Sequence, residues 1–178
     1  GYRTPVTYRS SDYYRLLVYS GVLGGFPHSK LFVNVREKAS LAYYAWARLE
    51  ATKGFLMINA GIDPDNYEKA VEIILHQVDE INHGKVSKEE LEATKRGLIN
   101  GVLTMEDSAM AMIDRGIMGA INDVKRDTAE AIDSIRQVDP EDLVGQGRLL
   151  TLDTIYFLRG HQLGDPTTTQ QGTRGGQH

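Results

Sequence analysis

Arg36 and Tyr43 are the two side chains of this sequence whose types and spacing best suit a chemical role. They stand in the segment 29–43, where a short helix with a charged end is expected to turn into an aromatic strand. A guanidinium and a phenol both donate hydrogen bonds, so such a pair could stabilise a carbonyl or a developing oxyanion. The residues alone favour a plainer interpretation, in which Arg36 is a cation at a helix end and Tyr43 is a half-buried strand aromatic.

The histidines do not form the zinc motif of a metallopeptidase. That motif needs two His four residues apart on one helical turn with a carboxylate nearby, and no His here has another at that offset. A weaker candidate is a row along one side of a predicted helix: Glu72, His76, Asp79 and His83. The solvated face of an amphipathic helix is the simpler explanation of that row.

Two other familiar motifs are not found. The glycines of 21–25 match neither the Walker spacing nor the dinucleotide spacing, and a helix C-cap followed by a turn explains them better. No Gly-x-Ser-x-Gly occurs, and no serine has an evident His partner. We therefore expect neither a phosphate-binding loop nor a nucleophilic serine.

Composition narrows the function classes further. The chain has 178 residues, 24 acidic and 20 basic side chains, a net charge of −4 and no cysteine. The lack of cysteine excludes disulfides, thiolate zinc sites and a cysteine nucleophile. The weak negative charge argues against nucleic-acid binding, and there is no apolar run of about 18 residues to predict a membrane-spanning helix. We expect a cytoplasmic protein whose partners include neither nucleic acid nor a membrane.

Periodicity and capping residues predict the elements of the first half. Candidate N-caps at 10–12 precede a helix to about residue 25, and a shorter helix then places Leu31, Phe32 and Val35 on one face. Alternation predicts an antiparallel hairpin of strands 42–50 and 55–62. A helix capped at 63–65 runs to Gly84, and its core stripe is Tyr67, Val71, Ile74, Val78 and Ile81.

The second half is predicted to be mainly helical. Ser87 and Glu90 form a capping box before a long helix, and further helices are expected at about 107–121, at 127–138 and from 139. Residues 150–158 are interpreted as a closing strand. Strands and helices in this order predict an α+β two-layer sandwich, with a mostly antiparallel sheet covered by helices on one face.

The sequence also gives expectations about the start and the end of the chain. The chain opens directly into a strand-like run, which indicates a piece of a longer protein. The segment 161–178 offers almost nothing to bury, so we expect one domain over 1–160 and a mobile tail over 161–178.

Several segments together resemble the C-terminal half of the M16 zinc peptidases, the insulinase, pitrilysin and mitochondrial processing peptidase-like family. The similarity rests on Leu-Gly-Gly-Phe-Pro-His-Ser-Lys-Leu-Phe at 23–32, Val-Arg-Glu-Lys at 35–38 and Ser-Leu-Ala-Tyr at 40–43. Further matches are Gly54, Ala60-Gly61 and the run 84–91 followed by Lys95. The resemblance covers about residues 1–160.

The resemblance implies that this chain is one of two similar domains that face each other around a substrate. In that family the first domain carries a His-x-x-Glu-His zinc site, and the second supplies an Arg and a Tyr that contact the substrate backbone. Matched motif to motif, these are Arg36 and Tyr43. The resemblance thus implies no catalytic residue and no metal in this segment. It implies zinc on an opposing domain or a second M16 subunit, and an unfolded peptide as substrate.

Two other interpretations stay open at this point. The chain could be a non-catalytic assembly or partner subunit with the same fold, in which Arg36 and Tyr43 play no part in peptidase chemistry. It could also be a stand-alone peptide-binding module. The residues upstream of Gly1 bear on the choice, since a His-x-x-Glu-His there would support catalysis within one chain.

Overall fold

A computed structural model describes residues 1–159 of the protein, and the predicted tail 161–178 lies outside the described residues. The first half contains a strand, a helix, a π-helix and two long strands: β1 (Tyr2–Arg3), α1 (Tyr13–Gly24), the π-helix (Phe32–Lys38), β2 (Ala42–Glu50) and β3 (Phe55–Ile62). A short 3-10 turn (Pro64–Asn66) then leads into five α-helices and a last strand: α2 (Tyr67–Asn82), α3 (Lys88–Glu106), α4 (Ala109–Asn122), α5 (Thr128–Gln137), α6 (Pro140–Gly147) and β4 (Thr151–Leu152).

The strands form one antiparallel sheet in the order β2-β3-β1-β4. The β2–β3 pairing is the long one and runs from Ala42↔Ile62 to Glu50↔Phe55. By contrast, β1 pairs with β3 and with β4 at two residues each. The predicted hairpin is confirmed, and it forms the main part of the sheet.

The hydrophobic core lies between the helices and one face of the hairpin. Helix α1 packs across β2, and its buried side chains meet those of the sheet; the group includes Leu16, Tyr19, Leu23, Ala45, Ala47 and Leu56. Ile135 of α5 and Leu143 of α6 are fully buried in the same core. The predicted two-layer α+β sandwich with an antiparallel sheet is confirmed.

Capping side chains begin the later helices as predicted. Ser87 Oγ accepts a hydrogen bond from the Glu90 N–H at 3.1 Å, and Glu90 Oε2 accepts one from the Ser87 N–H at 2.7 Å. These two bonds satisfy backbone donors that the first helical turn leaves without partners. Asp139 and Asp142 form a second such box at the start of α6.

Among the helices of residues 1–159, none combines the length and the hydropathy that a membrane span requires.

Two predicted strands are much shorter than expected. The strand-like run at the start of the chain contributes only Tyr2–Arg3, and the strand predicted over 150–158 contributes only Thr151–Leu152. A strand persists only where a neighbouring strand takes up its backbone hydrogen bonds. Here β1 and β4 pair with each other at two residues, and the prediction of a long closing strand is therefore wrong for the described residues.

The core stripe predicted on α2 is only half buried. Val78 and Ile81 are 4% and 0% exposed, as a core stripe requires. Tyr67, Val71 and Ile74, on the same stripe one to three turns earlier, are partly exposed. The first half of α2 therefore faces a space that the described residues do not fill.

Candidate functional site

Arg36 lies on a π-helix, not on an ordinary α-helical turn. The seven residues Phe32–Lys38 adopt this wider helix, which is rare in proteins and is frequently found at functional sites. Val35 is fully buried and anchors the π-helix to the core, whereas the next residue, Arg36, is exposed. The Arg36 guanidinium carbon lies 4.5 Å from the centroid of the Phe32 ring, a cation–π contact that steadies the side chain and leaves it accessible.

The end of the π-helix is positively charged. Arg36 and Lys38 both lie in its last turn, where cations interact favourably with the negative end of the helix dipole. Lys38 Nζ also donates a hydrogen bond to Asn34 Oδ1 at 3.2 Å. This end of the element therefore suits a substrate group that is electron-rich, such as a carbonyl oxygen or a carboxylate.

Ser40 redirects the chain from the π-helix into β2. Its φ of 51° is in the left-handed region, which residues other than glycine seldom adopt. The Leu41 N–H then donates to the Val35 carbonyl at 3.1 Å and closes the turn. Strained backbone of this kind persists where the surrounding structure holds it in place, and it is often found next to functional side chains.

Tyr43 occupies a β-bulge. The register passes from Ala42↔Ile62 directly to Tyr44↔Gly61, so Tyr43 has no partner on β3. A bulge bends its strand and re-aims a side chain, and Tyr43 is 75% exposed. Simple strand alternation would have placed Tyr43 beside the buried Ala45, and the bulge is the reason that it is not there.

The two predicted substrate-contacting residues thus stand at the two ends of one turn. Arg36 precedes it on the π-helix, Tyr43 follows it on the bulge, and both side chains are exposed. Neither is sealed in hydrophobic packing, and the exposure of Tyr43 differs from that of a half-buried strand aromatic. That the two groups converge on one substrate atom stays a prediction.

The predicted row of His and acidic side chains on α2 contains one close pair, Asp79 with His83, while His76 lies beside Glu80, which is outside the row. His76 Nε2 lies 3.7 Å from Glu80 Oε1, and His83 Nδ1 lies 3.2 Å from Asp79 Oδ1. Within residues 1–159, no group of three or more His, Asp or Glu side chains could hold a metal ion. The donor set of this part of the chain does not fit zinc.

The segment 26–31, which follows the glycine pair, is held against α3 by side chains to which no sequence pattern assigned a role. Lys30 is 6% exposed, and its Nζ lies 3.2 Å from Glu90 Oε1, a member of the capping box. His28 Nε2 lies 3.2 Å from Thr94 Oγ1, and its ring stacks on Phe26 at 5.2 Å. These contacts hold the start of the π-helix in place. A lysine directly before the apolar pair Leu31-Phe32 was the signal in the sequence.

The chain is similar to proteins described as peptidases and inactive peptidase relatives. A family model described as "Peptidase M16 inactive domain" matches residues 1–98. The Bacillus subtilis (strain 168) protein described as "Probable inactive metalloprotease YmfF" is 43% identical over 160 residues, which make up 90% of this chain and 38% of that protein.

Solved structures agree with this comparison. A protein from Enterococcus faecalis V583 superposes with a TM-score of 0.78 at 34% identity, covering 84% of this chain and 35% of the other. An M16 inactive domain from Pseudomonas fluorescens gives a TM-score of 0.68 at 20% identity, covering 80% of this chain and 35% of the other, which shows a shared fold. The chain spans little more than a third of the length of these three relatives. It belongs to the peptidase M16 family, as a domain of the kind described there as inactive.

Proposed function

We propose that this chain is the zinc-less, substrate-binding half of an M16-type zinc metallopeptidase. The observation that carries the proposal is the succession of a π-helix, a left-handed Ser40 and a β-bulge, which leaves Arg36 and Tyr43 exposed at the two ends of one turn. Each of these irregularities costs free energy relative to regular structure. Their occurrence together, around two hydrogen-bond donors, supports a role in binding.

In this proposal the two side chains act on the backbone of an extended peptide. The Arg36 guanidinium donates to a carbonyl of the bound substrate and fixes its position. The Tyr43 hydroxyl donates to the oxygen on which negative charge develops during hydrolysis. Because the described residues do not fit zinc, the proposal assigns the metal to an opposing domain of the same protein or to a second M16 subunit. This segment by itself is not expected to hydrolyse peptides.

A non-catalytic partner subunit is the second candidate function. One relative at 43% identity carries the description "Probable inactive metalloprotease YmfF", which favours this candidate. Helix α4 also presents an exposed apolar row that a permanent partner could cover, formed by Met110, Ile113, Ile117 and Ile121. In this alternative Arg36 and Tyr43 have no part in peptidase chemistry.

The test measures peptidase kinetics on the complete assembly of this domain with its zinc-bearing counterpart. We expect Tyr43→Phe to lower kcat by a factor on the order of 10²–10³, the usual effect of removing one donor to an oxyanion. Arg36→Ala should lower kcat/KM, because it removes the donor that positions the substrate carbonyl. Arg136→Ala is the matched control, because Arg136 is an exposed arginine on α5 paired with Asp133, and it should leave the kinetics unchanged.

Two outcomes would overturn the proposal. Both variants could retain wild-type kinetics, in which case the assigned roles are wrong. Alternatively, the complete assembly could bind zinc and still cleave no unfolded peptide, which would favour the non-catalytic subunit.

A further inference from the structure

A groove of about 650 Å³ runs between β3 and the segment that follows β4. One wall is the second part of β3, residues 57–62, and the other is the segment 154–158. The floor is the half-exposed stripe of α2, which includes Tyr67, Val71 and Ile74. The Phe157 ring stacks on Tyr67 with 4.3 Å between centroids and so ties the second wall to α2.

The β3 wall of this groove is an open strand edge. On its other side β3 pairs with β2 along its whole length, but β1 pairs with β3 only at Phe55 and Leu56. From Met57 to Ile62 this edge has no partner strand among the described residues. Alternate residues of a strand direct their N–H and C=O groups to each edge, and such groups need partners where the surroundings are apolar.

We propose that this groove holds an extended segment of the same polypeptide, directly amino-terminal to Gly1, as a continuation of β1. Strand β1 is antiparallel to both β3 and β4, so one strand that continues it can pair with both walls at once. The register starts from Tyr2↔Leu56 on one side and Tyr2↔Leu152 on the other. Beside β3, each step toward the amino terminus moves one residue along the wall, and about five residues before Gly1 reach Ile62. On the second wall the N–H groups of Asp153 and Thr154 both donate to the Gly1 carbonyl, so this wall carries one extra residue there and about four residues before Gly1 reach Leu158.

The register also specifies the chemistry of this segment. Tyr2 and its partner Leu56 are both buried on the helix side of the sheet. Side chains alternate between faces, so the first, third and fifth residues before Gly1 would stand over α2, beside Ile58, Ala60 and Ile62. We therefore expect these three residues to be apolar, and they would cover the stripe on α2 that is now half exposed.

The amine of Gly1 supports this placement. It donates to the Thr154 carbonyl at 2.8 Å, and the Gly1 carbonyl accepts from the Asp153 N–H at 3.0 Å, so both polar groups of Gly1 are turned toward the second wall. Because successive residues of a strand bond to opposite sides, the polar groups of the residue before Gly1 would turn toward the open edge of β3.

Two other occupants fit less well. Residues 160–178 include one aliphatic side chain, Leu163, and so lack the alternating apolar pattern that the groove requires. A free substrate peptide could pair with the same edge. However, β1 already pairs with β3 at the start of this edge, so a chain that continues β1 reaches it without a separate binding step. This chain covers 38% of the length of YmfF, so that relative has enough further residues to contain such a segment.

The test compares three forms of the full chain: without an extension, with Val-Thr-Val-Thr-Val before Gly1, and with Thr-Val-Thr-Val-Thr before Gly1. The first extension places its valines over α2, and the second places its valines on the opposite face of the sheet. We expect the first to slow hydrogen exchange of the amides of 57–62 by about tenfold or more and to raise Tm by about 3 °C or more. The second extension should protect the amides of 57–62 clearly less and should raise Tm clearly less.

Three results would overturn the proposal. The two extensions could behave alike or give no protection at 57–62. The unextended chain could already be protected there and lose that protection when residues 160–178 are deleted, which would make the tail the occupant. A free Val-Thr-Val-Thr-Val peptide could bind the Val-Thr-Val-Thr-Val-extended chain at 57–62, which would show an edge kept open for substrate. None of these readouts uses peptidase activity, so the result is independent of the proposed function.

Discussion

Gly24, the last residue of α1, lies directly against β2 at Ala47. A Cβ atom added to Gly24 would stand 2.8 Å from the Cβ of Ala47, a separation that real Cβ atoms essentially never show. The absence of a side chain at Gly24 therefore lets α1 approach the sheet closely. The glycine pair near residue 24 is a packing device as well as the end of a helix.

Gly24→Ala should destabilise the fold through this contact. Backbone atoms of β2 cannot move aside easily, so we expect a loss of about 1–3 kcal/mol in the free energy of unfolding, measured by urea denaturation. Gly101→Ala is the matched control, because Gly101 lies in α3 with open space around it. The control should stabilise the protein by about 0.5–1 kcal/mol, since alanine favours helix. Equal effects of the two substitutions would show that α1 does not need this approach.

Lys30→Met should lower the stability of the fold, because it removes the ion pairs of the buried Lys30 ammonium beneath the π-helix. The Lys30 ammonium is buried between Glu90 and Glu80, and its removal leaves two carboxylates without a buried partner. We expect a loss of about 1–3 kcal/mol in thermal or urea unfolding.

Lys85→Met is the control for this prediction. Lys85 Nζ lies 3.7 Å from the same Glu80, but its side chain is 64% exposed, so its removal should cost less than about 0.5 kcal/mol. A Lys30 variant as stable as the Lys85 variant would contradict a role for the buried pair.

Arg126→Lys should be destabilising although it keeps the charge. The Arg126 guanidinium carbon lies within 4.4 to 4.9 Å of the ring centroids of Tyr8, Tyr13 and Tyr14, and Nη2 donates to the Ser10 carbonyl. A lysine ammonium cannot stack on three rings and donate in that geometry, so we expect a loss of about 1–3 kcal/mol.

The same replacement at Arg136 is the control for the tyrosine cluster. Arg136 is 65% exposed, and Arg136→Lys should change the free energy of unfolding by less than about 0.5 kcal/mol. If Arg126→Lys proved equally harmless, the three aromatic contacts would contribute nothing measurable to stability.

Stability should fall at alkaline pH because of the same cluster. Burial, with smaller contributions from Tyr8 and Tyr14, raises the pKa of Tyr13 to about 12 from its ordinary 10.0, although Arg126 acts in the opposite sense. Between pH 10 and about 12 the unfolded chain releases the Tyr13 proton while the folded chain keeps it. Stability therefore declines as the pH rises through this window. Urea unfolding at several pH values should show a shallower decline for Tyr13→Phe, and an identical slope would contradict the assignment.

Arg36→Ala and Tyr43→Phe should leave folding almost untouched in this chain. Both side chains are exposed, and substitutions at such positions usually change stability by less than about 0.5 kcal/mol. Urea unfolding of the two variants beside the wild type provides the measurement. A loss of several times that size would show that the π-helix or the bulge needs the side chain, and would point to a structural role.

The sequence by itself determined the elements whose signals are local. The hairpin 42–50 and 55–62, the capping box at Ser87 and Glu90, and the helix begun by Asp127 follow from alternation and from side chains that bond to their own backbone. The motif with Arg36 and Tyr43 also indicated the family. Such signals act over a few residues, so they can be recognised without knowledge of the rest of the chain.

Only the tertiary structure decided how far each element extends and where its side chains face. The strand predicted over 150–158 has two residues, because strand length depends on a neighbour that pairs with it. Tyr43 is exposed because the register between β2 and β3 slips by one residue at the bulge. The stripe on α2 is half buried because its first turns face a groove. Pairing, register and burial are relations between distant segments, and no local pattern contains them.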